Sequence, residues 1–312
     1  KPAVLAVVIE ALLRIARRAL KNSWMYALAG AAFVGIFFLD IPFPLIVVAA
    51  GVIGYFGGRI RPERFFVVKP HGAGGAEPPR AAEAAHDARA PSSDGGAAAT
   101  VALWLFVWLA PVVALWLALG WGHPFTEIGK FFSTMAIVTF GGAYAVLAYV
   151  AQEAVTTYGW LSAGEMLDGL GLAETTPGPL ILVLEYVGYL AGFRHAMGLS
   201  PYLAGTLGAL LTVWVTFAPS FLFVFAGAPY VERTRGMQGF SAALSGITAA
   251  VVGVVLNLTV WFALNVVFAK VETLHWHGLR LYVPEIASLD WAALALAAAA
   301  LVAMLRFKVG MI

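Results

Sequence analysis

"TVALWLFVWLAPVVALWLAL", residues 100–119, contains no charged side chain. A helix of roughly 20 apolar residues crosses a hydrocarbon core of about 30 Å, so the stretch reads as a membrane span. The rest of the chain agrees. Of 312 residues, 61% are hydrophobic and 12% charged, and the mean hydropathy is +0.86. A soluble domain averages about 45–50% apolar and about 25% charged residues. The composition is that of an all-α, polytopic protein whose first partner is the lipid bilayer.

Composition also narrows the chemistry. The net charge is only +2, and no basic patch is interleaved with aromatics, so nucleic acid is not indicated. Without cysteine, the chain has no disulfide, thiolate metal site or cysteine nucleophile. No HExxH, P-loop or GxSxG stretch occurs, which argues against a hydrolase or ATPase. Neither a cofactor nor a metal is expected.

Outward from 100–119, two apolar runs at 24–39 and 41–57 flank "DIPFP" and read as a hairpin of spans. Arg14, Arg17, Arg18 and Lys21 precede it, and Arg59, Arg61 and Arg64 follow it. By the positive-inside rule both of its ends are cytoplasmic. Residues 3–20 look like the end of a span already under way, so the chain is expected to lack its natural N-terminus. Residues 70–99 are polar and rich in Ala, Gly and Pro, the composition of a flexible linker. The expected division is therefore a membrane segment at 1–57, a cytoplasmic linker at 58–99 and a second membrane half at 100–312.

That half shows six apolar stretches, at about 100–119, 131–150, 178–193, 203–228, 238–268 and 289–305. Alternating them from a cytoplasmic linker puts Arg233, Arg235, Arg306 and Lys308 inside, as the rule prefers, but Lys130, Arg194 and Lys270 outside. Residues 152–176 are mixed in character and lie at the interface or re-enter. Residues 272–288 read as an exterior loop with hairpin character. His275 and His277 would share one face if extended, but two ligands do not make a metal site. "AVLAVV" (3–8) against "AVVGVV" (250–255), and Leu-Asp at 39–40 against 289–290, hint at an internal repeat of the kind found in secondary transporters.

Several residues could carry chemistry. In "AETTPGPLILVLE" (173–185), proline suits the first helical turn and Thr176 can cap it. A helix is expected to start at about Pro177–Pro179, leaving free N–H groups and the positive end of a helix dipole, a ready anion site. That start lies either at the membrane surface or, as a broken helix, at membrane depth, where irregular backbone must line a cavity or be buried. Gly141-Gly142 inside an apolar run either unwinds a turn or lets helices approach closely. Pro219 predicts a kink. Glu185, inside an apolar stretch, is a candidate proton carrier. Asp168 and Glu174 lie near the presumed break. Asn257 is read first as an interhelical hydrogen bond.

Taken in order, "FGGAYAVLAYV" (140–150), "GWLSAGEMLDGLGLAETTPGPLILVLEYVGYLAG" (159–192), "TFAPSFLFVFAGAPYVERTRG" (216–236) and "ALSGITAAVVGVVLNL" (243–258) resemble the chromate ion transporter family. The resemblance implies a bacterial inner-membrane protein that exports chromate, with two homologous halves of opposite orientation. The motif residues it marks are Phe140, Gly141, Gly142, Trp160, Asp168, Pro177, Gly178 and Pro179, then Phe217, Pro219, Ala228, Pro229 and Glu232. The first half is represented only by its tail, 1–57. At Glu185 the family pattern favours Gln, which lowers its claim to coupling.

The expected substrate site is accordingly Thr175, Thr176, Pro177, Gly178 and Pro179 with the apposed Phe140, Gly141 and Gly142. Asp168, Glu174, Glu185, Pro219 and Asn257 are candidates for coupling or gating. Chromate is the expected substrate. Sulfate, also a tetrahedral dianion, would use the same site. A homodimer is left open. The readings of another class are a fragment that does not transport alone and a membrane enzyme.

Overall fold

The computed structural model describes residues 2–62, 94–138, 143–175, 181–234 and 238–307. Helices α1 (Pro2–Ala19), α2 (Ser23–Phe37) and α3 (Phe43–Ile60) come first. After it come α4 (Asp94–Leu119), α5 (Pro124–Val138), α6 (Ala143–Gln152), a π-helical turn at Glu153–Thr157, α7 (Ala163–Thr175) and α8 (Leu182–Arg194). Helices α9 (Pro201–Thr234) and α10 (Gln238–Val267) lead to strands β1 (Val271–Trp276) and β2 (Leu279–Pro284), a 3-10 turn and α11 (Trp291–Phe307).

Phe43–Ile60, Ala98–Leu119, Pro201–Gly227 and Gly239–Val267 are each long and apolar enough to cross a membrane. Only 6% of the α4 window is buried against protein, and Leu103, Phe106 and Leu117 are exposed. An apolar helix left bare in this way is a lipid-facing one. The chain is an all-α, multi-pass membrane protein with one small hairpin of strands. Helix α10 forms its axis: 67% of its span is buried, and it packs against α1, α2, α3, α6, α7 and α11. Lipid is as apolar as Leu, so these helices are held by close backbone approach rather than by exclusion of water. At Gly253 of α10, a Cβ would stand 2.1 Å from the carbonyl oxygen of Ala29 in α2.

The α2–α3 hairpin forms as expected. Asn22 caps α2 by accepting from the Met25 N–H at 3.1 Å, and Asp40 turns the chain in the left-handed region, φ 54°. Helix α1 departs from the expected end of a span. It is amphipathic, burying Val4, Leu5 and Val8 while Glu10 pairs with the exposed Arg14. Of the linker expected at 58–99, residues 63–93 lie outside the described residues; α3 runs to Ile60 and α4 starts at Asp94.

The larger correction concerns 131–150 and 178–193, which do not cross. The rings of Phe131 in α5 and Tyr149 in α6 have centroids 5.7 Å apart. In one continuous helix, 18 residues at ~1.5 Å each would separate them by about 27 Å. Helix α6 therefore doubles back. Helices α7 and α8 do the same: Glu165 pairs with Arg194, and a Cβ on Gly169 would stand 2.5 Å from the Tyr186 ring. Both pairs have their open ends where Asp40 lies, since Tyr149 stacks on Phe43 at 5.3 Å and Trp160 meets Phe131 at 5.5 Å. Strict alternation would have put residue 150 at the opposite end from Asp40. Two doubled-back pairs replace two spans, so the parity of the remaining helices is unchanged.

Residues 272–288 form an antiparallel hairpin in which Val271 pairs with Pro284 and Trp276 with Leu279. His277 and Gly278 make its two-residue turn with φ 50° and 81°, the mirror-image conformation that matches strand twist. His277 thus sits in the turn and does not share a strand face with His275. Bonds from Ala269 N–H to the Ser288 carbonyl and from Asp290 N–H to the Val267 carbonyl close the hairpin at its base.

Candidate functional site

Phe140, Gly141, Gly142, Thr176, Pro177, Gly178 and Pro179 lie outside the described residues. Glu174 and Thr175 are the last two residues of α7, and their side chains likewise lie outside what is described. The Phe-Gly-Gly stretch joins α5 to α6, and the Pro-Gly-Pro stretch joins α7 to α8. Helix α8 is defined from Leu182, with no side-chain cap on Ile181.

The open end of the α7–α8 pair is locked by a reciprocal cap. Ser162 N–H and Oγ both donate to Glu165 Oε2 at 2.8 Å, and Glu165 N–H donates back to Ser162 Oγ at 3.3 Å. This is a capping box, satisfying two N–H groups at a helix start. Arg194, ending α8, reaches Glu165 Oε1 at 2.5 Å and the Trp160 carbonyl at 2.8 Å. The Ser162 backbone N–H, followed by the Arg194 guanidinium, holds the Glu165 carboxyl down to about 2. In the sequence, the S-x-x-E spacing from Ser162 is the signal that marks Glu165.

Of the coupling and gating candidates, Asp168 on α7 and Glu185 in the first turn of α8 are exposed rather than packed in the interior. Pro219 is buried, and α9 runs helical through it from Pro201 to Thr234. Asn257 is 4% exposed, and it donates to Gln152 Oε1 at 3.2 Å. It makes the expected interhelical bond, from α10 to the end of α6.

That bond leads to a group that sequence reasoning missed. A cavity of about 570 Å³ lies between the Asp40 turn, the end of α6 with its π-helical turn, and the β-hairpin. Arg280 of β2 is its buried cation, with a side chain 7% exposed. Its Nη2 donates to the Ile36 carbonyl at 2.5 Å, its Nε to the Phe37 carbonyl at 3.4 Å and its backbone N–H to the Phe38 carbonyl at 2.7 Å. These carbonyls end α2, where a helix leaves acceptors unpaired and favours a cation. Nη1 donates to Asp40 Oδ1 at 2.5 Å. Were the Gln152 amide turned over, giving up its bond from Asn257, its oxygen would instead accept from both Nη atoms at 3.2 Å. Tyr282 lies under the cation, 5.3 Å from ring centre to Cζ, and burial raises its phenol pKa. The polar lining is completed by Glu153, Thr156, Thr157, Thr273 and His275. In the sequence, Arg280 was one cation within a loop, and nothing joined it to Asp40, 240 residues away.

A second unusual feature lies on and beside α5. Thr126 and Ser133 of α5, Trp108 of α4 and Thr216 of α9 each bury a polar atom that has no hydrogen-bond partner among the described residues. Helix α5 packs against both α4 and α9. Unpaired buried donors are uncommon in native proteins.

Comparison with known proteins bears on the whole arrangement. The chain is 32% identical over 166 residues to a chromate transport protein of Pseudomonas aeruginosa, covering 53% of this chain and 36% of that protein. It is 29% identical over 138 residues to a chromate transport protein of Cupriavidus metallidurans, covering 44% of this chain and 31% of that protein. An uncharacterized transporter of Methanocaldococcus jannaschii is 28% identical over 130 residues, 42% of this chain and 29% of that protein. The matched stretches thus cover about a third of the length of these relatives. No solved structure matches. Residues 126–312, more than half of the chain and including both doubled-back pairs and the β-hairpin, match the family described as Chromate transporter, and the chain belongs to that family.

Proposed function

We propose that this chain is the substrate-carrying part of a secondary transporter that moves chromate out of the cytoplasm across a bacterial inner membrane. The observation that carries the reading is the pair of doubled-back helices. Each of the two stretches rich in Gly and Pro joins two helices whose open ends lie at one end of the molecule. Short helices that break inside a bilayer are where transporters hold their substrates, because irregular backbone there must line a cavity. Chromate would be held by backbone N–H groups and hydroxyls around Thr175, Thr176, Pro177, Gly178 and Pro179, apposed to Phe140, Gly141 and Gly142. The unpaired donors of Thr126, Ser133, Thr216 and Trp108 offer further uncharged contacts to an oxyanion in passage. By the positive-inside rule the Asp40 turn and the β-hairpin face the exterior.

Outward movement of a dianion is driven by an inside-negative potential, by roughly 2.3 kcal/mol per charge per 100 mV. The relatives' names favour chromate over sulfate. Chromate uptake into inverted membrane vesicles tests the reading, with Thr176→Ala and Gly178→Leu as variants and sulfate as competitor. Uptake lost in both variants supports the helix-break site. No uptake by this chain, with uptake once the N-terminal half of a longer relative is supplied beside it, would make it a fragment that needs a partner half.

A further inference from the structure

We infer that the cavity under the β-hairpin is a second oxyanion site, in which the Asp40 carboxylate occupies the place on Arg280 that a substrate oxyanion takes. The inference rests on the transporter reading and assigns a vestibule that the substrate meets apart from the helix breaks.

The two partners of this ion pair are unequally buried. The Arg280 side chain is 7% exposed and that of Asp40 is 59% exposed. The cation cannot follow Asp40 outward, because the carbonyls of Ile36 and Phe37 hold its Nη2 and Nε. The anion is free to swing, since it stands on a tight turn at the cavity wall. A buried cation left alone is costly, so Asp40 departs only when another anion takes its place. A tetrahedral oxyanion suits that edge of a guanidinium, whose planar fork matches oxyanion geometry. The hydroxyls of Thr156, Thr157 and Thr273 line the same space and can donate to its remaining oxygens. At about 30 Å³ for each water, a cavity of about 570 Å³ admits the ion with part of its hydration.

Glu153 and Asp40 together outweigh the one guanidinium, with His275 as the only other titratable group in the lining besides Tyr149 and Tyr282. Two carboxyl groups against one guanidinium hold the affinity for an anion low. A transport site needs that property, since the ion must leave as readily as it arrives.

The test is isothermal titration of the whole detergent-solubilised chain with chromate and with sulfate, comparing wild type, Asp40→Asn and Arg280→Gln, beside vesicle uptake of the same proteins. Removing a like charge near the site should tighten binding in Asp40→Asn by about fivefold or more. Loss of the guanidinium should weaken binding at this site by at least about tenfold. Wild-type binding that Asp40→Asn leaves unchanged or weakens overturns the inference and leaves a structural latch, while the transporter reading stands on its own uptake. If Arg280→Gln does not fold, Asp40→Asn decides alone, because it keeps the guanidinium. Absence of both binding and uptake in folded wild type overturns the transporter reading, and this inference with it.

Discussion

The indole N–H of Trp214 in α9 donates to the carbonyl of Val107 in α4 at 2.9 Å. Val107 lies four residues before Pro111, which sits inside α4. Proline has no N–H, so the Val107 carbonyl has no helical donor. Within a bilayer no water replaces it, and an aromatic side chain of the neighbouring helix does. Trp214→Phe should destabilise the protein by about 1–2 kcal/mol, the cost of an unpaired acceptor. In a Pro111→Ala background the same change should cost less, because the helix then supplies its own donor. Thermal unfolding of the four proteins in one detergent gives the coupling.

The Ser162–Glu165–Arg194 lock predicts a pH dependence. Glu165 has its pKa lowered from 4.5 to about 2 by folding. A depressed folded pKa means that the unfolded chain binds the proton first, so the stabilisation is full above the unfolded value and is lost as pH falls towards the folded one. The melting temperature of wild type should exceed that of Glu165→Gln at neutral pH, and the gap should close between about pH 4.5 and pH 2. Arg194→Gln should show a smaller gap over the same window, because the Ser162 donors remain.

Thr126 and Ser133 bury hydroxyls that have no partner among the described residues. An unpaired buried donor costs about 1–3 kcal/mol. Thr126→Val, of nearly the same shape, should therefore raise stability by about 1 kcal/mol, and Ser133→Ala should cost little. If these donors serve a passing oxyanion, both variants should carry chromate more slowly despite folding at least as well. A rise in melting temperature with unchanged uptake would assign the hydroxyls no part in transport.

Helix α2 rests on α10 where Gly253 meets Ala29. Gly253→Ala would bring a methyl group to 2.1 Å from a carbonyl oxygen, which only backbone movement can relieve. A loss of about 1–3 kcal/mol is expected, the usual cost of overpacking. At Gly30, where a Cβ meets nothing, the same substitution should be neutral or stabilising. Comparing the two by thermal unfolding separates helix packing from helix propensity.

What the sequence determined by itself is whatever depends on local composition. Uncharged runs marked the spans, since hydrocarbon excludes charge whatever the neighbours are. "DIPFP" marked the α2–α3 turn because proline and a left-handed residue end helices locally. The polar character of 272–288 marked an exterior loop with hairpin character, and the order of motifs carried the family. The tertiary structure decided what depends on where helices end relative to one another. Residues 131–150 look like a span because hydropathy has no direction, whereas the Phe131–Tyr149 contact shows the chain turning back. Arg280 looked like an ordinary loop cation because nothing local tells which carboxylate it will meet. Only the packing of α2 and α6 under the hairpin brings Asp40 and Gln152 beside it, since long-range electrostatic pairing is set by the fold and not by neighbours in the chain.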